Sequence, residues 1–101
     1  MSKTTRQRAA GVLLRMGVSM RTRGWDDLLT VVLLAAESPE AAPAALYRRA
    51  AGSAGVSVQT VRSGCTRAIR SALTRGLPGL PPEMSADEFI ARAAALVRQE
   101  D

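Results

Sequence analysis

Apolar residues recur at helical spacing between Ser57 and Gly76, and no other feature constrains the fold as strongly. At about 100° per residue, one arc of this segment is apolar and the opposite arc carries only arginine and uncharged polar side chains. The apolar arc holds Val58, Val61, Cys65, Ala68, Ile69, Ala72 and Leu73, and the polar arc holds Gln59, Arg62, Ser63, Thr66, Arg67, Arg70 and Thr74. Ser57 is a good N-cap, and Gly76 with the following Pro78 is a typical helix end. The segment 57–76 is therefore predicted to be an amphipathic helix.

Four further helices are predicted from periodicity, caps and helix breakers. They cover residues 4–16, 25–37, 44–53 and a last segment that a Ser85–Glu88 capping box opens and that continues through Val97. The segment 25–37 is apolar nearly all round, which is typical of a buried central helix. Aromatic residues make up only 3% of the chain, and this composition disfavours strands. We therefore expect a compact, single all-α domain of five to six helices over residues 1–101.

Basic residues are concentrated in two segments of the chain. The net charge is +5, yet residues 1–25 hold six basic side chains and no acid, and residues 57–76 hold four and no acid. The six N-terminal cations are Lys3, Arg6, Arg8, Arg15, Arg21 and Arg23. Two basic segments without acids favour a polyanionic partner. Nucleic acid is the first candidate, and an anionic membrane surface is the second.

The chain lacks residues that several classes of protein require. The chain has no histidine and one cysteine, so we expect no catalytic residues, no metal site and no cofactor, and we expect that the protein is not an enzyme. Cys65 and Trp25 are predicted to lie in the core. The acid pairs at residues 26–27 and 87–88 are interpreted as first-turn residues that favour the helix dipole. The longest apolar stretch, residues 28–36, is too short to span a membrane, so we expect no membrane partner and a cytoplasmic, nucleoid-associated protein.

Ala51, Gly55 and Val61 stand at the spacing of a helix-turn-helix. In that motif a small residue lets the two helices approach, a glycine takes the turn conformation and an apolar residue anchors the second helix. The second helix then lies in a major groove of DNA. The candidate DNA-binding residues are Ser57, Gln59, Thr60, Arg62, Ser63, Thr66, Arg67 and Arg70, and the candidate phosphate contacts are Arg48, Arg49 and Arg75. Arg and Gln can bind guanine and adenine edges through two hydrogen bonds each.

Four segments of the chain look like short motifs of a known family. They are Met16-Gly17-Val18 with Arg23-Gly24-Trp25, Leu46-Tyr47 with Ala51, the set Val61, Ala68, Ile69, Ala72, Arg75 and Gly76, and Glu88-Phe89-Ile90-Ala91. Together they resemble the DNA-binding effector domain of the sporulation-initiation response regulators of endospore-forming bacteria. The resemblance implies a six-helix fold, binding to double-stranded DNA, dimers on repeated sites and contact with the sigma subunit of RNA polymerase.

The chain also departs from that family. The family's base-contacting positions correspond to Arg62, Ser63, Thr66 and Arg67, where its usual residues are Glu, Arg, Arg and His. We therefore expect a different preferred DNA sequence. The connector 77–84 is shorter than the family's segment that helps to contact the sigma subunit. No receiver domain is recognised in these 101 residues, so we expect no phosphorylation-driven dimerisation within this chain.

Two functions remain open at this point. The first is a sequence-specific transcription regulator that binds double-stranded DNA through the helix 57–76. The alternative is a helical interaction module that binds an acidic partner, such as an RNA polymerase subunit or another regulator, because helical hairpins with Ala and Gly at these spacings also occur without touching DNA. Preference for one DNA sequence over scrambled DNA separates the two.

Overall fold

The computed structural model describes residues 4–100, so Lys3 of the basic N-terminal segment lies outside the described residues. The described residues form five α-helices and no strand, which confirms the all-α prediction. The helices are α1 (Thr5–Arg15), α2 (Trp25–Glu37), α3 (Pro43–Ala54), α4 (Val58–Leu73) and α5 (Ala86–Gln99). The radius of gyration is 12.5 Å, which is the value expected of a compact chain of this length.

Side-chain hydrogen bonds set the starts of three helices. At α1, Thr4 and Gln7 form a capping box in which each side chain accepts a hydrogen bond from the other residue's amide. Ser57 caps α4 and Ser85 caps α5, each accepting from the amide three residues further on. Helix α3 begins at Pro43, where the missing N–H has no intrahelical partner to lose. The predicted starts of all five helices agree with the observed ones to within one residue.

The prediction for α4 is wrong in two details. The helix ends at Leu73 rather than Gly76, because the amides of Arg75 and Gly76 bond to carbonyls three residues back and tighten the last turn. Gly76 then adopts a left-handed φ of 65°. Val58 is 37% exposed although it falls on the apolar arc, because it lies in the first turn of α4, before the buried residues begin at Val61.

Helix α2 lies at the centre of the fold and packs against each of the other four helices, as predicted. Side chains from all five helices form one continuous hydrophobic cluster, and Trp25 and Cys65 belong to it, as predicted. Apart from Trp25, Tyr47 and Cys65, no side chain of residues 4–100 with a polar group is buried, so every described arginine keeps some contact with solvent. None of the helices in this part of the chain has the length and apolar character needed to cross a membrane.

Two glycines bring the start of α2 against the middle of α4. A Cβ on Gly24 would lie 1.8 Å from the carbonyl oxygen of Gly64, and a Cβ on Gly64 would lie 2.7 Å from a carboxylate oxygen of Asp27. Neither glycine has a positive φ, so the contact requires space rather than a special backbone conformation. Partial burial, together with the charge of Asp26, raises the pKa of the Asp27 carboxyl. The periodicity of the two segments does not predict this contact.

We expect Gly24→Ala to destabilise the fold, because the added methyl group overlaps the Gly64 carbonyl. Overpacking of this kind usually costs about 1–3 kcal/mol of unfolding free energy. Gly52→Ala is the matched control, since a Cβ on this glycine of α3 has no neighbour within 4 Å and alanine favours a helix by about 0.5–1 kcal/mol. Urea unfolding followed by circular dichroism measures both, and equal stability of the two variants would contradict the contact.

The thiol of Cys65 links stability to alkaline pH. Burial, with a smaller contribution from the charge of Asp27, raises the pKa of Cys65 to about 12. A thiol in an unfolded chain ionises near pH ~8.5, so the unfolded state releases a proton that the folded state still holds. The stabilisation is therefore fully present below about pH 8.5 and is lost as the pH rises toward the folded pKa.

We expect the unfolding free energy of Cys65→Ala to fall less steeply above about pH 8.5 than that of the wild type, because the contribution of the thiol is absent. The measurement is the unfolding free energy of both proteins at several values between about pH 7 and pH 11. Tyr47 titrates in both proteins, and its pKa is raised mainly by burial and also by the charge of Cys65. The difference between the two curves therefore reports Cys65 together with its effect on Tyr47. Parallel curves would show that the thiol is not buried in the native state.

Candidate nucleic-acid interface

A short turn, residues 55–57, connects α3 to α4. Gly55 has a left-handed φ of 70°, and no atom lies within 4 Å of the position of its missing Cβ, so its requirement is conformational. The amide of Val56 donates to the carbonyl of Ala51, which closes the end of α3. Ala51 and Val61 are both buried, and α3 packs against α4. The three residues of the predicted spacing thus have the turn conformation and the burial expected of them.

The outer side of α4 forms a shallow depression, which we call the α4 face. It is lined by Gln59, Arg62, Ser63, Thr66, Arg67 and Arg70. The three arginines and Gln59 are exposed, whereas Ser63 and Thr66 are half-buried. The fold therefore brings six of the eight predicted DNA-binding residues together on one surface. The remaining two, Ser57 and Thr60, are exposed at the start of the same helix.

Hydrogen bonds along α4 restrain several of these polar side chains. The hydroxyls of Ser57 and Thr60 lie 2.8 Å apart, and the Ser57 hydroxyl also accepts from the amide of Thr60 at 3.1 Å. Nε2 of Gln59 donates to the hydroxyl of Ser63 at 3.2 Å. Ser57 is therefore a structural cap, and Gln59 is held along the helix axis with its amide carbonyl available to a partner.

The arginines of the α4 face have no acidic partner within residues 4–100. No carboxylate of this region comes within the 4.0 Å limit of an ion pair with Arg62, Arg67 or Arg70. Other arginines are engaged elsewhere: Arg15 pairs with Glu100, and Arg98 donates to the carbonyl of Ala35. Helix α4 itself contains no acidic residue. The α4 face is consequently an uncompensated cationic surface.

Arg62 lies at the edge of the α4 face, above the aromatic ring of Tyr47 on α3. The distance from its Cζ atom to the ring centroid is 5.1 Å, which is within the range of a cation–π contact. The motifs of the sequence do not predict this pair. A signal was nevertheless present, because Tyr47 stands four residues before Ala51 and shares its side of α3.

The three candidate phosphate contacts are exposed but lie apart. Arg48 projects from α3 and has no hydrogen-bond or ion-pair partner among residues 4–100. Arg49 donates to the hydroxyl of Ser38 at the end of α2, at 3.5 Å. Arg75 is in the turn after α4, where its Cδ atom lies 3.3 Å from the position a Cβ would take on Gly17. The structure does not gather these three with the α4 face.

Comparison of the chain with protein-family models, with curated proteins and with solved structures found no match. The resemblance to the sporulation-initiation regulators thus stays a prediction from the motifs.

Proposed function

We propose that this chain is a sequence-specific transcription regulator that binds double-stranded DNA, with α3, the 55–57 turn and α4 acting as a helix-turn-helix. The observation that carries the proposal is the chemistry of the α4 face. Arg62, Arg67 and Arg70, which have no carboxylate partner within residues 4–100, stand there beside the uncharged donors and acceptors of Gln59, Ser63 and Thr66.

The size of α4 fits the major groove. An α-helix with its side chains is about 10–12 Å wide, and the major groove of B-DNA is about 12 Å wide. Each base pair presents its own pattern of donors and acceptors in that groove, and Arg and Gln match guanine and adenine edges with two bonds each. Ser57 and Thr60 lie at the helix start, the end that enters the groove in this motif.

Arginines outside the α4 face supply phosphate contacts in this proposal. Arg48 and Arg75 are exposed on either side of α4 in the sequence, and such contacts fix the orientation of a protein on DNA without reading bases. Arg49 serves the same role, because its bond to Ser38 is at the outer limit of hydrogen-bond length and is weak.

The resemblance to the sporulation-initiation regulators supports the same function. By that analogy the protein is cytoplasmic and associated with the nucleoid, binds repeated sites as a homodimer and contacts the sigma subunit of RNA polymerase. The connector 77–84 is shorter than the family's segment that helps to make the sigma contact, so the resemblance supports that contact less than it supports DNA binding. The residues at the base-contacting positions differ from the family's, so the operator is expected to differ as well.

An acidic protein surface is the competing partner for a cationic face. Sequence preference distinguishes the two, since attraction by charge alone does not discriminate one duplex from its scrambled version. The experiment is selection from a random pool of duplexes, followed by competition between the enriched duplex and a scrambled one. Equal binding of both duplexes would favour the protein-interaction alternative.

We expect binding to duplex DNA to weaken steeply with salt. Each phosphate neutralised by an arginine releases counterions and adds about −0.9 to the slope of log K against log salt concentration. Arg48, Arg49 and Arg75 alone predict a slope of about −3, and any arginine of the α4 face that contacts phosphate steepens the slope to about −5 at most. Fluorescence anisotropy at several salt concentrations measures the slope, and a value near zero would contradict phosphate contact.

We expect Arg67→Ala to reduce discrimination between the selected duplex and scrambled DNA. The loss of one bidentate base contact is worth ~1–3 kcal/mol of specificity. Arg75→Ala is expected to weaken binding to both duplexes about equally, because Arg75 lies beyond the end of α4. Arg98→Ala is the control, since it removes the same charge where the side chain reaches Ala35 at the end of α2. An unchanged specificity ratio in Arg67→Ala would argue against base reading by this residue.

A further inference from the structure

Tyr47 presents a fixed aromatic surface to the first half of α4. The residue is only 3% exposed, so its ring is held by the packing of the core rather than free to rotate in solvent. The face of an aromatic ring is electronegative and attracts a cation placed over it. The guanidinium of Arg62, centred 5.1 Å from the ring centroid, occupies this position.

The hydrogen-bonding capacity of Arg62 is unused within the described part of the chain. The guanidinium carries five N–H donors, and its contact with the ring gives them no oxygen or nitrogen acceptor. No acceptor within residues 4–100 takes a hydrogen bond from Arg62, and no carboxylate there forms an ion pair with it. The guanidinium of Arg62 is therefore held in place by the ring, and its N–H donors are available to an acceptor from outside the chain.

A competing acceptor lies nearby. Arg62 borders a second depression, which also includes Tyr47 and Asp87 at the start of α5. Asp87 is exposed and outside ion-pair distance of Arg62 in this structure. Without the ring to hold it, the guanidinium would be free to turn toward this carboxylate and away from the α4 face.

We propose that Tyr47 is a positioning residue that orients Arg62 toward a guanine edge of the bound DNA. This inference rests on the proposed function. It adds that Arg62, held by the ring, determines a preference for guanine at one position of the operator. Guanine offers its O6 and N7 atoms side by side to the paired donors of an arginine. Because the ring restricts Arg62 before binding, less side-chain freedom is lost when the contact forms.

The test compares Tyr47→Leu with Tyr47→Phe in the full chain, using duplexes selected by the wild-type protein. Tyr47→Phe keeps the ring and is expected to keep the guanine preference within about twofold. Tyr47→Leu is expected to reduce that preference by roughly tenfold, the scale of one bidentate base contact, while binding to scrambled DNA stays unchanged. Arg62→Lys, which keeps the charge but not the paired donors, is expected to reproduce the loss.

A second measurement applies even if Tyr47→Leu fails to fold. The Nε–H signal of Arg62 in the NMR spectrum is expected to be shifted by the ring in the wild type and in Tyr47→Phe, and to move when the selected duplex is added. An Arg62 signal at the position of a solvent-exposed arginine would overturn the inference.

Three other outcomes also overturn it. The first is that Arg62→Lys keeps the guanine preference. The second is that Tyr47→Leu weakens binding to selected and scrambled duplexes equally, which indicates a phosphate contact. The third is that Tyr47→Leu increases the guanine preference, which indicates that the ring holds Arg62 away from the DNA. A wild-type protein that selects no sequence refutes the proposed function itself. A wild-type protein that selects a sequence whose guanines do not depend on Arg62 refutes only this inference.

Discussion

The contact between Gly24 and Gly64 determines where α4 lies, and the candidate interface depends on that position. The backbone at the start of α2 approaches the carbonyl of Gly64 so closely that any side chain on Gly24 would overlap it. Because α2 packs against all the other helices, this contact places α4 on the centre of the fold rather than on a mobile edge. A rigid support matters for a helix proposed to read bases, since such contacts require side chains placed to within about 0.5 Å.

The distribution of acids leaves the arginines of the α4 face available. Residues 26–27 and 87–88 lie in the first turns of α2 and α5, where negative charge favours the helix dipole. The carboxylate of Asp27 also lies against Gly64, where it is partly buried and forms no ion pair with the arginines of the α4 face. No carboxylate lines the depression of the α4 face, so its cations remain for a partner. The ring of Tyr47 adds orientation to one of these cations without neutralising it.

The sequence predicted the helices well because each helix depends on residues three and four apart and on local caps such as Ser57 and Ser85. The same periodicity placed the polar arc of α4 outward, and every predicted DNA-binding residue is exposed or half-buried. Contacts between helices could not be predicted in this way, because the periodicity of one segment does not determine the distance between two packed helices. Gly64, a glycine inside an otherwise regular helix, was a usable sign of close packing, whereas Gly24 carried no such sign.

The most direct measurement is the mapping of backbone amide NMR shifts when a selected duplex is added to the protein. We expect the largest changes in the 55–57 turn and along α4 from Gln59 to Arg70, with smaller changes at Arg48 and Arg75. Changes confined to the region where Arg98 of α5 reaches Ala35 at the end of α2 would contradict DNA binding through α4. So would changes along α4 that an acidic peptide produces and duplex DNA does not.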